Sequence, residues 1–91
     1  MPEPNIVVQG TPNPNAAKFT VDRRLIEGRA GVSYFDADTA SENALAKRLF
    51  AIDGVESILI AEDFVTVTKS ASAAWDDIVP KIEDAIKEAL S

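Results

Sequence analysis

The run Thr11-Pro12-Asn13-Pro14-Asn15-Ala16-Ala17-Lys18 concentrates two carboxamides and one ammonium in a short stretch. Each proline fixes φ and removes a backbone donor, and each pushes the residue before it toward an extended conformation. Asn13 and Asn15 can bond their own backbone and favour turns. The chain must therefore take a stiff, polar, non-helical path here. Asn13, Asn15 and Lys18 are candidates to meet a partner protein or an anion. The alternative is that the prolines and asparagines only order a connection between two strands.

A second candidate set lies at Asp63, Phe64, Thr66 and Thr68. Asp63 falls in a turn, and Phe64 begins a strand whose alternate residues are threonines. An exposed aromatic on an open sheet face is a natural binding anchor. The competing reading is a turn acid beside a Phe64 that packs on Tyr34 or Phe35. Paired acids recur at Asp36 and Asp38, Glu62-Asp63, Asp76-Asp77 and Glu83-Asp84. Hard cations need several oxygens converging from an ordered loop, and no such spacing is present, so these read as solvated surface.

The chain contains no cysteine and no histidine. Iron–sulfur clusters are held by thiolates and occasionally by imidazoles, so the chain offers no conventional cluster ligand. Neither a histidine base, a cysteine nucleophile, a G-x-S-x-G elbow nor a glycine-rich phosphate loop occurs. No catalytic, cofactor-binding or metal-binding residue is assigned. An enzyme using Ser, Lys or paired acids in a pocket is one rival reading, and a deep polar cleft would favour it.

Fifteen acids against nine bases give a net charge of −6. Affinity for nucleic acid comes mostly from neutralising phosphates with Lys and Arg, so nucleic acid is an unsuitable partner. An anionic membrane surface is disfavoured for the same reason. No basic leader and no apolar run of spanning length is seen, and a cytoplasmic location is the default expectation. At 91 residues one domain over residues 1–91 is expected.

Strands are expected over residues 6–9 and 18–21, with a further short edge strand over 32–35 and an undecided stretch over 22–28. Residues 36–43 supply helix-start signals: Thr39-Ala40-Ser41-Glu42 fits a capping box, and Asn43 is a second candidate cap. That helix should run to about Ile52, with Leu45, Leu49 and Ile52 on one face. Gly54 stands where a left-handed residue is wanted. Residues 55–60 and 64–69 should form an antiparallel hairpin with Val65 and Val67 on the core face. Ser72 is a plausible cap for a last helix whose apolar stripe begins at Trp75 and contains Pro80, where a kink is expected. The order strand-strand-helix-strand-strand-helix implies an α+β fold, an antiparallel sheet with two helices on one face.

Three stretches together resemble the N-terminal domain of NFU-type (NifU-like) iron–sulfur scaffold proteins: TPNPNAAKF from Thr11, AKRLFAIDGV from Ala46, and DFVTVTK from Asp63 with Trp75 and Pro80. The family commonly has Ser-Pro where this chain has Asn43-Ala44. Asn still caps a helix and Ala favours one, so the departure is mild. In the family, the cluster is held by a C-x-x-C pair in a second domain that has no counterpart in this sequence. The resemblance implies a binding module in cluster assembly or delivery that contacts a cysteine-bearing assembly or acceptor protein, as a monomer or weak oligomer. A carboxylate-based iron donor and a structural or regulatory domain unrelated to iron–sulfur work remain open alternatives.

Overall fold

In a computed structural model, residues 5–25 and 31–90 are described. Residues 26–28 of the undecided stretch, and the first four residues, lie outside them. The chain runs β1 (Ile6–Gly10), β2 (Ala16–Val21), β3 (Val32–Tyr34), α1 (Ala37–Ala40), α2 (Ala44–Phe50), β4 (Val55–Ile60), β5 (Phe64–Lys69) and α3 (Trp75–Leu90). The strands form one antiparallel sheet in the order β1-β2-β5-β4-β3. This is the expected α+β architecture, with the short third strand at an edge.

Strict alternation decides which side of the sheet is dry. Phe19, Val21, Ile58, Ile60, Val65 and Val67 point to one face and are buried, together with Ala17 and Tyr34. Leu45, Ala46 and Leu49 of α2 and Ile78, Ile82, Ala85 and Ile86 of α3 close over them in one continuous core. Side chains two apart along a strand share a face, so a single inward valine fixes the register of its whole strand. The opposite face carries Lys18, Thr20, Ser57, Leu59, Phe64, Thr66 and Thr68, all half-buried.

The expected first helix is two pieces. Asp36, in an extended conformation, caps α1 by accepting from the Thr39 amide at 2.8 Å and the Thr39 hydroxyl at 2.9 Å. Asn43 caps α2, its Oδ1 accepting from Leu45 and Ala46 at 2.9 and 3.1 Å. Thr39 thus serves Asp36 and caps nothing: its amide and hydroxyl both donate to the Asp36 carboxylate. Helix α2 stops at Phe50, and Ile52 sits in the turn that follows, still packed on the core. Gly54 has φ +102°, and a Cβ there would stand 2.9 Å from the Ala73 side chain. Ser72 does not cap α3. Its hydroxyl lies 3.3 Å from that of Ser70, and the helix begins at Trp75 after the Ala74 carbonyl. Helix α3 stays one element of 16 residues through Pro80, which cannot donate to the Asp76 carbonyl.

Tyr34 ties β3 to the turn between α1 and α2. Burial pushes its phenol above the ordinary value, and the Glu42 carboxylate acts in the same direction. A folded-state pKa above the unfolded one means that the folded protein keeps a proton the unfolded chain gives up. The contribution is therefore whole below about pH 10 and is lost as pH climbs through the folded value. Urea midpoints measured at about pH 9 and about pH 11 should fall more for the wild type than for Tyr34→Phe. An equal fall in both proteins would remove Tyr34 from the alkaline transition.

Candidate functional site

The loop of residues 11–15 is built from its own side chains. The Thr11 hydroxyl donates to the carbonyls of Asn13 and Ala16, at 2.9 and 3.0 Å. Asn13 Oδ1 accepts from the Asn15 amide at 2.9 Å, an Asx turn. The Asn13 carbonyl accepts from Ala16 at 3.0 Å. With two prolines removing donors, these bonds satisfy a backbone that has no ladder to join.

Asn15 turns inward to a partner far away in sequence. Its carbonyl accepts the Lys69 amide at 2.8 Å, and its Oδ1 accepts from the Lys69 ammonium at 3.1 Å. Lys69 is only 7% exposed, on the dry face of the sheet at the end of β5. Its ammonium also donates to the Ser70 carbonyl at 3.3 Å and lies 5.6 Å from the centre of the Trp75 ring. Trp75 in turn donates from Nε1 to the Pro14 carbonyl at 3.0 Å. Loop, β5 and the first turn of α3 are thereby joined at one point by a buried cation that has no carboxylate partner among the described residues. Two neutral oxygens and a π face solvate it instead.

This latch shapes a surface groove of about 330 Å³ between β1, the loop and α3. Val8, Pro14, Ala17, Trp75 and Val79 give it an apolar lining. A larger hollow of about 430 Å³ lies beside Gly54 and the start of α3, with Asp53, Asp77 and Lys81 at its walls. It offers two carboxylates, an ammonium and the hydroxyls of Ser70 and Ser72, but no histidine or cysteine.

The remaining sequence candidates spread over different places. Asn13 is exposed on the rim of the loop. Lys18 is not on the loop but on the open sheet face, its ammonium 4.3 Å over the Phe64 ring. Lys18 pairs across from Thr66 and Phe64 across from Thr20, so the two meet diagonally across the β2–β5 ladder. The partner of Phe64 is thus Lys18. Tyr34 is buried on the other face and Phe35 stands 74% exposed. Thr66 and Thr68 continue the Phe64 row. Asp63 is exposed in the β4–β5 turn, where its carbonyl accepts from Val21 at 2.8 Å. Among the described residues no group of three or more Asp, Glu, His or Cys side chains could hold a metal ion. The sequence reading missed Lys69. A lysine in phase with Val65 and Val67 is the signal that marks it as inward-facing.

The family model for the scaffold protein Nfu/NifU N-terminal region matches residues 6–91, and the chain belongs to that family. A NifU-like protein of Schizosaccharomyces pombe is 39% identical over 82 residues, covering 89% of this chain and 32% of the relative. The human mitochondrial NFU1 iron-sulfur cluster scaffold homolog is 37% identical over 78 residues, covering 85% of this chain and 30% of the relative. The solution structure of a NifU-like protein from Saccharomyces cerevisiae superposes with a TM-score of 0.83 at 31% identity, over 97% of this chain and 79% of that one. The chain spans about a third of the length of these curated relatives. The cytoplasmic expectation is overturned by the human and Arabidopsis thaliana relatives, which are labelled mitochondrial. Compartment is addressed by leader segments, and the composition of a folded domain carries no such address.

The latch has a direct energetic consequence. Asn15→Ala strips the ammonium of one acceptor and is expected to cost about 1–2 kcal/mol in denaturant unfolding. Combined with Lys69→Met, the loss should be non-additive by about 1 kcal/mol or more. Additive losses would mean that the two side chains act separately.

Proposed function

We propose that this chain is a binding module in iron–sulfur cluster assembly or delivery that acts by protein contact and does not itself ligate the cluster. The single observation that carries this reading is the absence of every cysteine and histidine from a chain of the Nfu/NifU scaffold family. A cluster needs thiolate or imidazole ligands, so they must come from another polypeptide or another part of a larger one. The partner is then a cysteine-bearing assembly or acceptor protein, met by a monomer or weak oligomer.

The open sheet face is the contact surface this reading favours. Lys18, Phe64, Thr66 and Thr68 form a flat patch with one cation-capped aromatic, Asp63 borders it, and Asn13 stands on the nearby loop. Asn15 sets the loop's shape from inside. Among the described residues no hydrogen bond joins the Ser70 or Ser72 hydroxyl of the larger hollow to Lys81 or to an acid, the two hydroxyls lying 3.3 Å from each other, which supports a non-enzymatic role. A carboxylate iron donor is disfavoured, since the described acids do not converge on a point.

Anaerobic capture with purified cysteine-bearing assembly proteins tests the reading. The wild type should retain such a protein, and a Lys18→Glu, Phe64→Ala variant of verified fold should lose about tenfold or more in affinity, as for a hot-spot pair. Retention of none by the wild type, or tight stoichiometric ferrous iron binding by the chain alone, would contradict it.

A further inference from the structure

Strand β1 leaves one side of the sheet unfinished. Among the described residues it pairs only with β2, and its outer edge carries the backbone donors and acceptors that a further strand would use. Exposed edges are usually blunted by lysine, proline, bulges or brevity. Ile6–Gly10 contains no charge and no proline, and its register with β2 is unbroken over five residues. The opposite edge, β3, is three residues long. Val7 and Val8 of β1 are 54% and 40% exposed.

The ground beside this edge is also prepared. Val8 faces the groove whose far wall is Trp75 and Val79. Trp75 sits at Pro14, near the Gly10 end of β1, and the Leu90 carbonyl at the other end of α3 lies 3.4 Å from Arg23, just past the strand end that pairs with Ile6. Helix α3 therefore runs antiparallel to β1; Trp75 and Val79 line the groove, and Glu83, four residues on from Val79, continues that row past the groove toward the Ile6 end. Val79 and Glu83 are one helical step of four apart, about 6 Å. Alternate residues of a strand are about 6.8 Å apart. Glu83 makes no hydrogen bond or ion pair among the described residues, whereas Lys87, one turn on, has a partner of its own.

We infer that the β1 edge takes an extended peptide segment of a partner protein as an added strand, with an apolar residue over Val8, Trp75 and Val79 and a lysine or arginine two positions away meeting Glu83. The backbone supplies the affinity and the alternate side chains the selection. The unpaired backbone edge of β1 selects a strand over a helix, and Glu83 within a chain of net charge −6 selects a basic residue. A second copy is a poorer occupant, because its own Glu83 and its like charge would come to the same seam. This inference rests on the reading that the chain works by protein contact.

Amide hydrogen exchange by NMR, with two blocked threonine-rich peptides, tests it. One peptide carries leucine and lysine two positions apart, and its twin has glutamate for the lysine. Saturation with the lysine peptide should slow exchange of outward amides in Ile6–Gly10 by about tenfold or more, and the glutamate twin should bind more weakly. Glu83→Lys, whose fold is checked by its unchanged core exchange, should reverse the order of the twins. No slowing in β1, equal binding of the twins to the wild type, or β1 protection that appears without peptide as concentration rises would each overturn the inference. If β1 stays unprotected while the chain still retains assembly proteins, the inference falls and the proposed function stands.

Discussion

Everything at the loop end of this molecule depends on the solvation of one ammonium. Lys69 lies where the alternation of β5 puts it, on the dry face beside Val67 and Val65. A buried cation without a counterion is costly unless its donors are met. Here Asn15 and Ser70 supply the oxygens and Trp75 the ring. Meeting that demand holds Asn15 inward, and that in turn needs the tight turn which Pro12, Pro14 and the Thr11 and Asn13 side chains create. Trp75, drawn to the same point, is fastened to the Pro14 carbonyl and sets where α3 begins. Through Asn15 the loop is tied to the core, while Asn13 stays exposed on its rim. It supplies one acceptor to the buried lysine ammonium.

That dependence explains why sequence motifs far apart belong together. The segment from Thr11 and the segment ending in Lys69 pair as antiparallel strands, Ala16 opposite Thr68, and their polar residues complete one another. The groove beside β1 follows from the same constraint, because the Trp75 ring forms one of its walls. A module that offers a preformed groove and an unfinished sheet edge is suited to contact, and a chain without thiolate or imidazole is unsuited to holding a cluster. The two observations are independent and agree.

The strands were legible because β-branched residues alternate or cluster at Val7 and Val8, Val65 and Val67, and Ile58 and Ile60. The Asn43 cap was legible because its acceptor reach is local. The division of the first helix was not, since Asp36 and Thr39 are both capping residue types and only the folded backbone shows that Asp36 accepts the Thr39 amide. The direction of Asn15 was hidden for another reason. Its partner is 54 positions away, and local propensity contains no term for that distance. Phe64 was placed on the right face, yet its partner was misassigned, because the diagonal approach of Lys18 depends on the β2–β5 register. Ser72 had the chemistry of a cap but not the position, as Ser70 holds its hydroxyl close.

The Trp75 indole reports the latch most directly. Its Nε1–H exchange with solvent, followed by NMR in the wild type and in Lys69→Met, reports whether the buried ammonium holds the loop and α3 together. Slow exchange in the wild type and fast exchange in the variant, with the core amides of β4 and β5 unchanged, is the predicted result. Equally protected indoles in both proteins would contradict it, since the loop and α3 would then be joined without Lys69.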